Sequence, residues 1–250
     1  IDLDPGENII CTFTNTQTGT ITIIKDTNPN NAQNFGFTAT GLVPPNFSLD
    51  DDSDPALSNT RVNSNVLPGS YLITENIVSG YRLTGLACVD PDNGTTVNLA
   101  TRAATIDVDA GESITCTYSN TQTGSITIIE DTNPNGPQNF TYSTTGGLTP
   151  ANFSLDDDAD ATISNTQVFS NVSPSTYTIT ENTVAGFTFT NLTCSDPDNG
   201  TTVNLATRVA TIDLDAGENI TCTFTDTQQG TITVIEDAIP NNAQNFRFES

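Results

Sequence analysis

Hydrophobic and polar residues alternate with a period of two along most of this chain. In the stretch Ser70–Glu75, for example, Tyr71, Ile73 and Glu75 fall on one face. The stretch Ser175–Glu181 repeats the pattern. Such alternation is typical of half-buried β-strands, and no helical periodicity interrupts it. We therefore predict an all-β fold, in which each copy of this stretch brings a carboxylate onto an apolar face.

The alternating segments of the first repeated unit are short and are separated by turn signals such as Pro68-Gly69. Several short strands at this spacing indicate an Ig-like β-sandwich. The predicted strands are Thr20–Asp26, Asn34–Thr40, Phe47–Asp50, Ser58–Val66, Ser70–Glu75, Tyr81–Val89, Thr96–Ala100, Ala103–Asp109 and Glu112–Thr121.

Internal repetition defines the domain organisation. Near-identical strands begin at Gly19, Gly124 and Gly230, so each unit is about 105 residues long, the size of one small domain. The very short linkers predict a stiff, rod-like array. In the less favoured alternative, the partial units at the two ends complete one another between neighbouring molecules and build filaments. We predict terminal strands of a preceding repeat at 1–18, sandwich domains at 19–123 and 124–229, and the first strands of a following repeat at 230–250.

Composition excludes several classes of function. The chain carries a net charge of −24, which disfavours nucleic acid and acidic membranes as partners and favours hard cations such as calcium. It contains no His, which is the usual general base and the usual zinc ligand. No apolar run is long enough to cross a membrane. We therefore expect neither nucleic acid binding nor direct membrane insertion.

The five cysteines occupy two repeated positions. Cys88 and Cys194 occupy one position, and Cys11, Cys116 and Cys222 the other; pairing one cysteine of each predicts the disulfides Cys88–Cys116 and Cys194–Cys222, and leaves Cys11 for a partner upstream. Two disulfides indicate an oxidising, extracellular location. The alternative is five free thiols that act as small apolar residues.

Three polar residues of the first unit end inward-facing rows of apolar residues. They are Lys25, Glu75 and Asn120, in the first, fifth and last predicted strands. In an apolar setting a lysine pKa falls and a glutamate pKa rises, which yields a nucleophilic amine beside a carboxyl that can shuttle protons. The predicted product is a Lys25–Asn120 isopeptide bond, formed once with loss of ammonia. The alternative is an ordinary ion pair of Lys25 with Glu75 near the rim, with Asn120 hydrogen-bonded to a loop.

These residues also resemble a known family. The motif Tyr-x-Ile-x-Glu followed by Gly-Tyr, at 71–81, is similar to the glutamate box of CnaB-type, prealbumin-like (SpaA-like) domains, although a proline common in that box is absent. Such domains occur in pilins, adhesin stalks and repetitive surface proteins of Gram-positive bacteria. The resemblance covers each repeat from end to end. It implies tandem prealbumin-like sandwiches, with Lys25 and Asn120 as the cross-linking pair and Glu75 as the catalytic acid.

The second unit keeps the glutamate as Glu181 but changes both cross-linking partners. Glu130 stands at the lysine position and Asp226 at the asparagine position, so no amine is available. We predict a degenerate site without a cross-link. Because three inward carboxylates repel one another, at least one should stay protonated, or a cation should bind.

Acidic loops recur in both units. Clustered carboxylates beside Asn and Gly match the ligands that calcium prefers, and calcium is the one cofactor that we consider. The same residue types are also ordinary turn formers, so both interpretations stay open. The candidate ligands are Asp50, Asp51, Asp52, Asp54, Asp90 and Asp92 in the first unit, and Asp156, Asp157, Asp158, Asp160, Asp196 and Asp198 in the second.

Together these features predict a structural extracellular repeat protein that forms a surface stalk, fibre or filament. Its partners would be copies of itself or neighbouring repeats. The alternative is a calcium-dependent adhesive or a glycan- or protein-binding module, against which the absence of Trp counts. Paired carboxylates could suggest a glycosidase, but here they lie in repeated turns. We therefore predict no enzyme with turnover, and at most one intramolecular bond-forming event in 19–123.

Overall fold

Two β-sandwiches of the same topology follow one another along the chain. The computed structural model describes residues 1–158, 160, 162–237 and 247, and none of these residues is helical. Accordingly, this described part contains no helix that could cross a membrane. The predicted all-β, tandem-sandwich architecture is confirmed.

The first sandwich contains nine strands. They are β1 (Gly19–Asn28), β2 (Asn31–Thr40), β3 (Asn46–Asp51), β4 (Thr60–Val66), β5 (Gly69–Glu75), β6 (Tyr81–Val89), β7 (Thr96–Asn98), β8 (Ala103–Val108) and β9 (Ser113–Gln122). One sheet has the order β4-β1-β9-β6 and the other β3-β2-β5-β8-β7. The pair β1 and β9 is parallel, and the remaining pairs are antiparallel.

The second sandwich repeats this arrangement. Its strands are β10 (Gly124–Asn133), β11 (Gly136–Thr144), β12 (Asn152–Asp157), β13 (Thr166–Val172), β14 (Ser175–Glu181), β15 (Phe187–Ser195), β16 (Thr202–Asn204), β17 (Val209–Leu214) and β18 (Asn219–Gln228). The sheet orders are β13-β10-β18-β15 and β12-β11-β14-β17-β16. Equivalent residues of the two units therefore occupy equivalent places.

All nine strands predicted for the first unit are present, and their ends differ from the prediction by at most three residues. The largest difference is at β2, which begins at Asn31. There Asn31 pairs with Asp51 across an irregularity in the β2–β3 register, which the alternating pattern does not reveal.

The core lies between the two sheets of each sandwich. Along β1 and β9 every second residue is buried, which places Ile21 and Ile23 opposite Ile73 and Ile106 of the other sheet. The equivalent core of the second sandwich contains Ile126, Ile128, Ile179 and Ile212. The inward row of each strand continues beyond these apolar residues to the polar positions described below.

The two sandwiches are joined by a single residue between β9 and β10. At this joint the Gln122 side chain lies against Gly217, where an added Cβ would be 2.7 Å from the Gln122 Oε1 atom. The same contact recurs one repeat earlier between Gln17 and Gly111. Both glycines have positive φ angles, +81° and +82°, so the turn and the contact both require glycine.

The predictions for the two ends of the chain stay predictions. Residues 1–18 contain no strand, and neither do residues 230–237. Most of the segment 230–250 lies outside the described residues.

Candidate functional site: two buried polar triads

The three predicted residues of the first sandwich meet inside its core. Lys25 lies on β1 and Asn120 on the adjacent strand β9, while Glu75 ends β5 in the opposite sheet. All three are at most 1% exposed. The structure thus brings together the three residues that the sequence pattern singled out, because the inward rows of both sheets end at the same end of the sandwich.

The Lys25 amine is placed against the Asn120 carboxamide. Lys25 Nζ donates a hydrogen bond to Asn120 Oδ1 at 2.9 Å and lies 3.6 Å from Glu75 Oε1. Asn120 Nδ2 donates to Glu75 Oε2 at 3.3 Å. The glutamate thus contacts both the amine and the amide nitrogen. The alternative ion pair of Lys25 with Glu75 is thus present, but it is buried and does not lie near the rim, and Asn120 bonds these two side chains and no loop.

Burial changes the acidity of the amine. Desolvation lowers the pKa of Lys25 to about 8, against the raising effect of the nearby Glu75 carboxylate. The amine also donates to the backbone carbonyl oxygens of Asp26 and Tyr118 at 2.8 and 2.9 Å, and it lies 4.2 Å from the centroid of the Phe35 ring. These contacts fix its position, while the lowered pKa increases the neutral, nucleophilic fraction.

Sequence analysis missed one member of this site. The Arg102 guanidinium donates to Glu75 Oε2 at 2.7 Å from the turn before β8, where Arg102 has a positive φ angle of 59°. Its equivalent, Arg208, has a φ angle of 55° and lies with its Nη1 atom 3.6 Å from Glu181 Oε1. A signal existed in the sequence, because these two residues recur at equivalent positions in a chain with only six basic side chains.

The second sandwich replaces the triad with three carboxyl groups. Glu130, Glu181 and Asp226 each offer an oxygen, and these oxygens lie within 4.8 Å of one another. All three residues are at most 2% exposed. As predicted from the sequence, no amine is present at this position, so this cluster cannot form the isopeptide bond.

The buried tyrosine hydroxyl group lies on different strands in the two sites. In the first sandwich Phe37 and Tyr118 form an edge-to-face pair, and Tyr118 donates to the Ile73 carbonyl oxygen at 2.8 Å. In the second sandwich the corresponding pair is Tyr142 and Phe224. The hydroxyl now lies on the other strand, where Tyr142 donates a short hydrogen bond to Glu130. This exchange gives Glu130 a donor that a phenylalanine would not provide.

Burial and mutual repulsion make the second cluster unusually basic. Desolvation, with repulsion from the other two carboxyl groups, raises the pKa of Glu130 to about 9 even though the Tyr142 hydrogen bond lowers it. Desolvation and the Asp226 charge raise the pKa of Glu181 to about 8, and desolvation also raises the pKa of Asp226. The sequence-based expectation that at least one carboxyl stays protonated is consistent with these directions.

Both predicted disulfides are present. Cys88 pairs with Cys116 and Cys194 with Cys222, each joining adjacent strands of one sheet. Cys11 is a free, exposed thiol, and its upstream partner stays a prediction.

The first acidic loop divides into buried and exposed residues. Asp51 is buried and accepts hydrogen bonds from the Thr27 backbone nitrogen at 2.7 Å and from the Thr27 hydroxyl. Asp157 is equivalently bonded to Thr132. These two aspartates therefore have structural partners already. Desolvation raises the pKa of the other two buried loop carboxyls, Asp50 and Asp156.

The remaining candidate ligands lie in turns. Asp52, Asp54, Asp158 and Asp160 accept hydrogen bonds from backbone nitrogens two residues ahead. This bonding is typical of Asx turns. In the part of the chain that the structure describes, these four do not belong to any converging group of three ligands.

The second acidic loop gains a residue that sequence analysis missed. Asp90 and Asp92 converge with Glu112, and Asp196 and Asp198 converge with Glu218 in the other unit. Asp92 and Asp198 also accept hydrogen bonds from backbone nitrogens of their own turns. Calcium binding at these partly exposed groups stays a prediction. The backbone bonds favour the interpretation as turns.

Topology and buried triad together define the class of protein. Two sandwiches with a parallel β1–β9 pair carry an inward Lys–Glu–Asn set in the first copy, which is the arrangement of a prealbumin-like, CnaB-type repeat. The SpaA_4 family model, described as a prealbumin-like fold domain, matches residues 21–122 and 126–228. The chain belongs to this family, and the matches include both buried clusters.

Several solved structures are similar to the chain at low identity. The Bacillus anthracis TIE protein is 15% identical over 85% of this chain and 34% of its own, with a TM-score of 0.35. The major pilin from Streptococcus pyogenes is 17% identical over 87% of this chain and all of its own, with a TM-score of 0.30. The C-terminal fragment of the pilus adhesin SpaC from Lactobacillus rhamnosus GG is 16% identical over 87% of this chain and all of its own, with a TM-score of 0.32. This chain thus spans about a third of the TIE protein. Among curated protein sequences, none matches it significantly.

Proposed function

We propose that this chain is a load-bearing segment of an extracellular surface stalk or fibre, and that its first sandwich is locked by a Lys25–Asn120 isopeptide bond. The observation that carries the proposal is the contact of a buried amine with a carboxamide, at 2.9 Å, beside a glutamate that reaches both. Family membership, tandem repetition and the one-residue linker support the structural role.

The reaction requires only groups that already lie together. The neutral Lys25 amine attacks the Asn120 Cγ atom, and Glu75 transfers a proton from the attacking nitrogen to the departing nitrogen. A bond forms between Lys25 Nζ and Asn120 Cγ, the bond between Asn120 Cγ and Nδ2 breaks, and the Nδ2 nitrogen leaves as ammonia. Arg102 holds the Glu75 carboxyl group in place. No oxidant or cofactor is needed.

Burial of the triad favours an internal bond over turnover. Lys25, Glu75 and Asn120 are enclosed between the sheets, so a second molecule has no access to them. The bond would join β1 to β9, the strands that begin and end the domain. Tension between the ends of the sandwich would then pass through a covalent link and would not reach the rest of the core.

The extracellular location rests on the two disulfides, since such bonds persist in oxidising compartments. Copies of the chain or neighbouring repeats are the proposed partners. The competing role, a calcium-dependent adhesive or glycan-binding module, predicts selective binding of a ligand.

Two measurements test the proposal. The intact mass of the reduced protein should be lower than the sequence mass by one ammonia, and peptide mapping should recover a peptide pair joined through Lys25 and Asn120. A matched Glu75→Gln variant should show the full sequence mass. A full-mass wild-type protein would contradict the cross-link. Separately, negative-stain images of the native assembly should show fibres; compact particles that bind selected glycans would favour the adhesive role.

A further inference from the structure

The carboxyl cluster of the second sandwich has no part in the proposed cross-link. We propose that Glu130, Glu181 and Asp226 share protons at neutral pH and so form a noncovalent clasp between the two sheets, at the place that the Lys–Glu–Asn triad occupies in the first sandwich. This inference does not depend on whether the first sandwich is cross-linked.

The cluster joins the two sheets of its sandwich. Glu130 on β10 and Asp226 on β18 belong to one sheet, and Glu181 at the end of β14 belongs to the other. Their oxygens approach within 4.8 Å with almost no exposure to solvent. Any attraction or repulsion among them therefore acts directly on the packing of the sheets.

If all three carboxyl groups were ionised, most of their oxygen atoms would have no hydrogen-bond donor. Tyr142 donates to Glu130, and the Arg208 Nη1 atom is 3.6 Å from Glu181 Oε1, which is too long for a hydrogen bond. One oxygen of Glu130 and both oxygens of Glu181 and of Asp226 have no donor while all three groups are ionised. A proton on one carboxyl converts an orphan acceptor into a donor for its neighbour, so protonation meets this need from within the cluster.

The charges around the cluster favour protonation of its carboxyl groups over the binding of a metal ion. Three carboxylates face one guanidinium, so the ionised cluster holds excess negative charge in a buried site, which is costly. A divalent cation would also remove that charge, but it would have to lie beside Arg208, which already contacts Glu181. Protons neutralise the carboxyl groups without this repulsion. The hydroxyl of Tyr142, at a position that is Phe37 in the first sandwich, further adapts the site to a carboxyl group.

The titration of the cluster depends on groups from every neighbouring element. Burial raises the pKa of Glu181 and that of Asp226; the Asp226 charge raises the pKa of Glu181 further, and the Arg208 charge lowers both. The charged or titratable groups facing Glu130 and Glu181 are Tyr142 on β11, Asp157 on β12, Arg208 before β17 and Asp226 on β18. Only Arg208 among them is cationic, so the surroundings favour the protonated forms.

The clasp is tested by carbon-13 NMR of the full chain with labelled Glu side-chain carboxyls. The chemical shifts of Glu130 and Glu181 are followed as the pH is raised. We expect at least one of the two to titrate above neutrality. If both titrate below neutrality, both glutamates are ionised at neutral pH and the proposal is overturned.

Two variants and a chelator separate proton sharing from its alternatives. Asp226→Asn should lower the titration midpoint of Glu181 by about one unit or more, because a neighbouring negative charge is removed; an unchanged midpoint would contradict sharing. If that variant does not fold, Glu130→Gln provides the same comparison. Glu218→Gln, in the partly exposed group with Asp196 and Asp198, is the matched control and should leave both midpoints unchanged. A rise of either midpoint after chelation would show that a metal ion had occupied the site, and would overturn the proposal.

Discussion

Lys25 Nζ lies 2.9 Å from Asn120 Oδ1 across a parallel strand pair, and the residues that replace them one repeat later are Glu130 and Asp226. The backbone register of the two sites is the same: Thr27 is paired with Asn120, and Thr132 with Asp226. The same backbone arrangement therefore carries an amine and an amide in the first repeat, and two carboxyl groups in the second.

Restoring the Lys–Glu–Asn triad should introduce a second cross-link, in the second sandwich. The changes are Glu130→Lys and Asp226→Asn, with Tyr142→Phe to remove the hydroxyl that serves Glu130. Because Glu181 and the strand register are already in place, the reduced protein should become lighter by one further ammonia. Intact mass and peptide mapping measure this. Adding Glu181→Gln should abolish the second loss, and a folded triple variant without that loss would contradict the prediction.

The second sandwich should lose stability as the pH rises. In the unfolded chain Glu130 titrates near its ordinary pKa of 4.5, whereas the folded value is about 9. Between these values the folded domain holds a proton that the unfolded chain has released. The free energy of unfolding should therefore fall by about 1.4 kcal/mol per pH unit for each such proton.

The stability of the second sandwich can be measured by denaturant unfolding, read out from hydrogen exchange of peptides from β10 and β18 at each pH. Glu130→Gln should flatten the dependence. A wild-type domain equally stable throughout this range would contradict the pKa directions given above.

The first sandwich should respond in the opposite direction when its cross-link is prevented. In an Asn120→Ala variant Lys25 remains a free amine whose pKa burial lowers from 10.5 to about 8. Between these values the unfolded chain keeps a proton that the folded domain has lost. The free energy of unfolding should therefore rise with pH in that window.

Hydrogen exchange of β1 peptides would report this rise. The matched control is Lys25→Met in the Asn120→Ala background, which has no titrating amine and should show no rise. A rise that persists in this control would assign the effect to another group.

Each disulfide should stabilise its own sandwich. Cys88 and Cys116 are separated by 28 residues, for which loop-closure entropy gives about 3 to 4 kcal/mol. Replacing both with Ala should lower the denaturation midpoint of the first sandwich accordingly. The second sandwich, with its own Cys194–Cys222 bond, is the internal control. An equal loss in both sandwiches would show that the effect is not local.

Chelation should leave the melting temperature unchanged. Asp92 and Asp198 already accept backbone hydrogen bonds within their turns, so these loops have partners without an ion. Scanning calorimetry with and without EDTA, and with added calcium, measures the effect. A clear increase with calcium that is lost in Glu112→Gln or Glu218→Gln would instead establish the calcium sites considered from the sequence.

Much of the fold followed from local patterns. Alternation located every strand of the first unit, because a sheet with one buried face requires apolar residues at every second position. Repetition showed that the second unit has the same strands. The exact start of β2 did not follow, because it depends on an irregular register with β3 that leaves no periodic signal.

The triads were only partly predictable. The inward rows ending in Lys25, Glu75 and Asn120 could be found from the strand pattern. Arg102 and Glu112 were missed because each lies in or beside a turn, where periodicity says nothing about the direction of a side chain. Tyr142 was missed because its hydroxyl matters only through Glu130, a contact between two strands.

The sequence by itself determined the strands of the first unit, the repeat, the two repeated cysteine positions and the replacement of an amine by an acid at position 130. Only the tertiary structure decided that the rows of the two sheets end together, that Glu75 reaches both nitrogens of its partners, and that three carboxyl groups are enclosed with one guanidinium. The physical reason is that alternation specifies which face a side chain occupies. The distance between side chains from opposite sheets, and with it their pKa values and reactivity, is set by how the sheets pack.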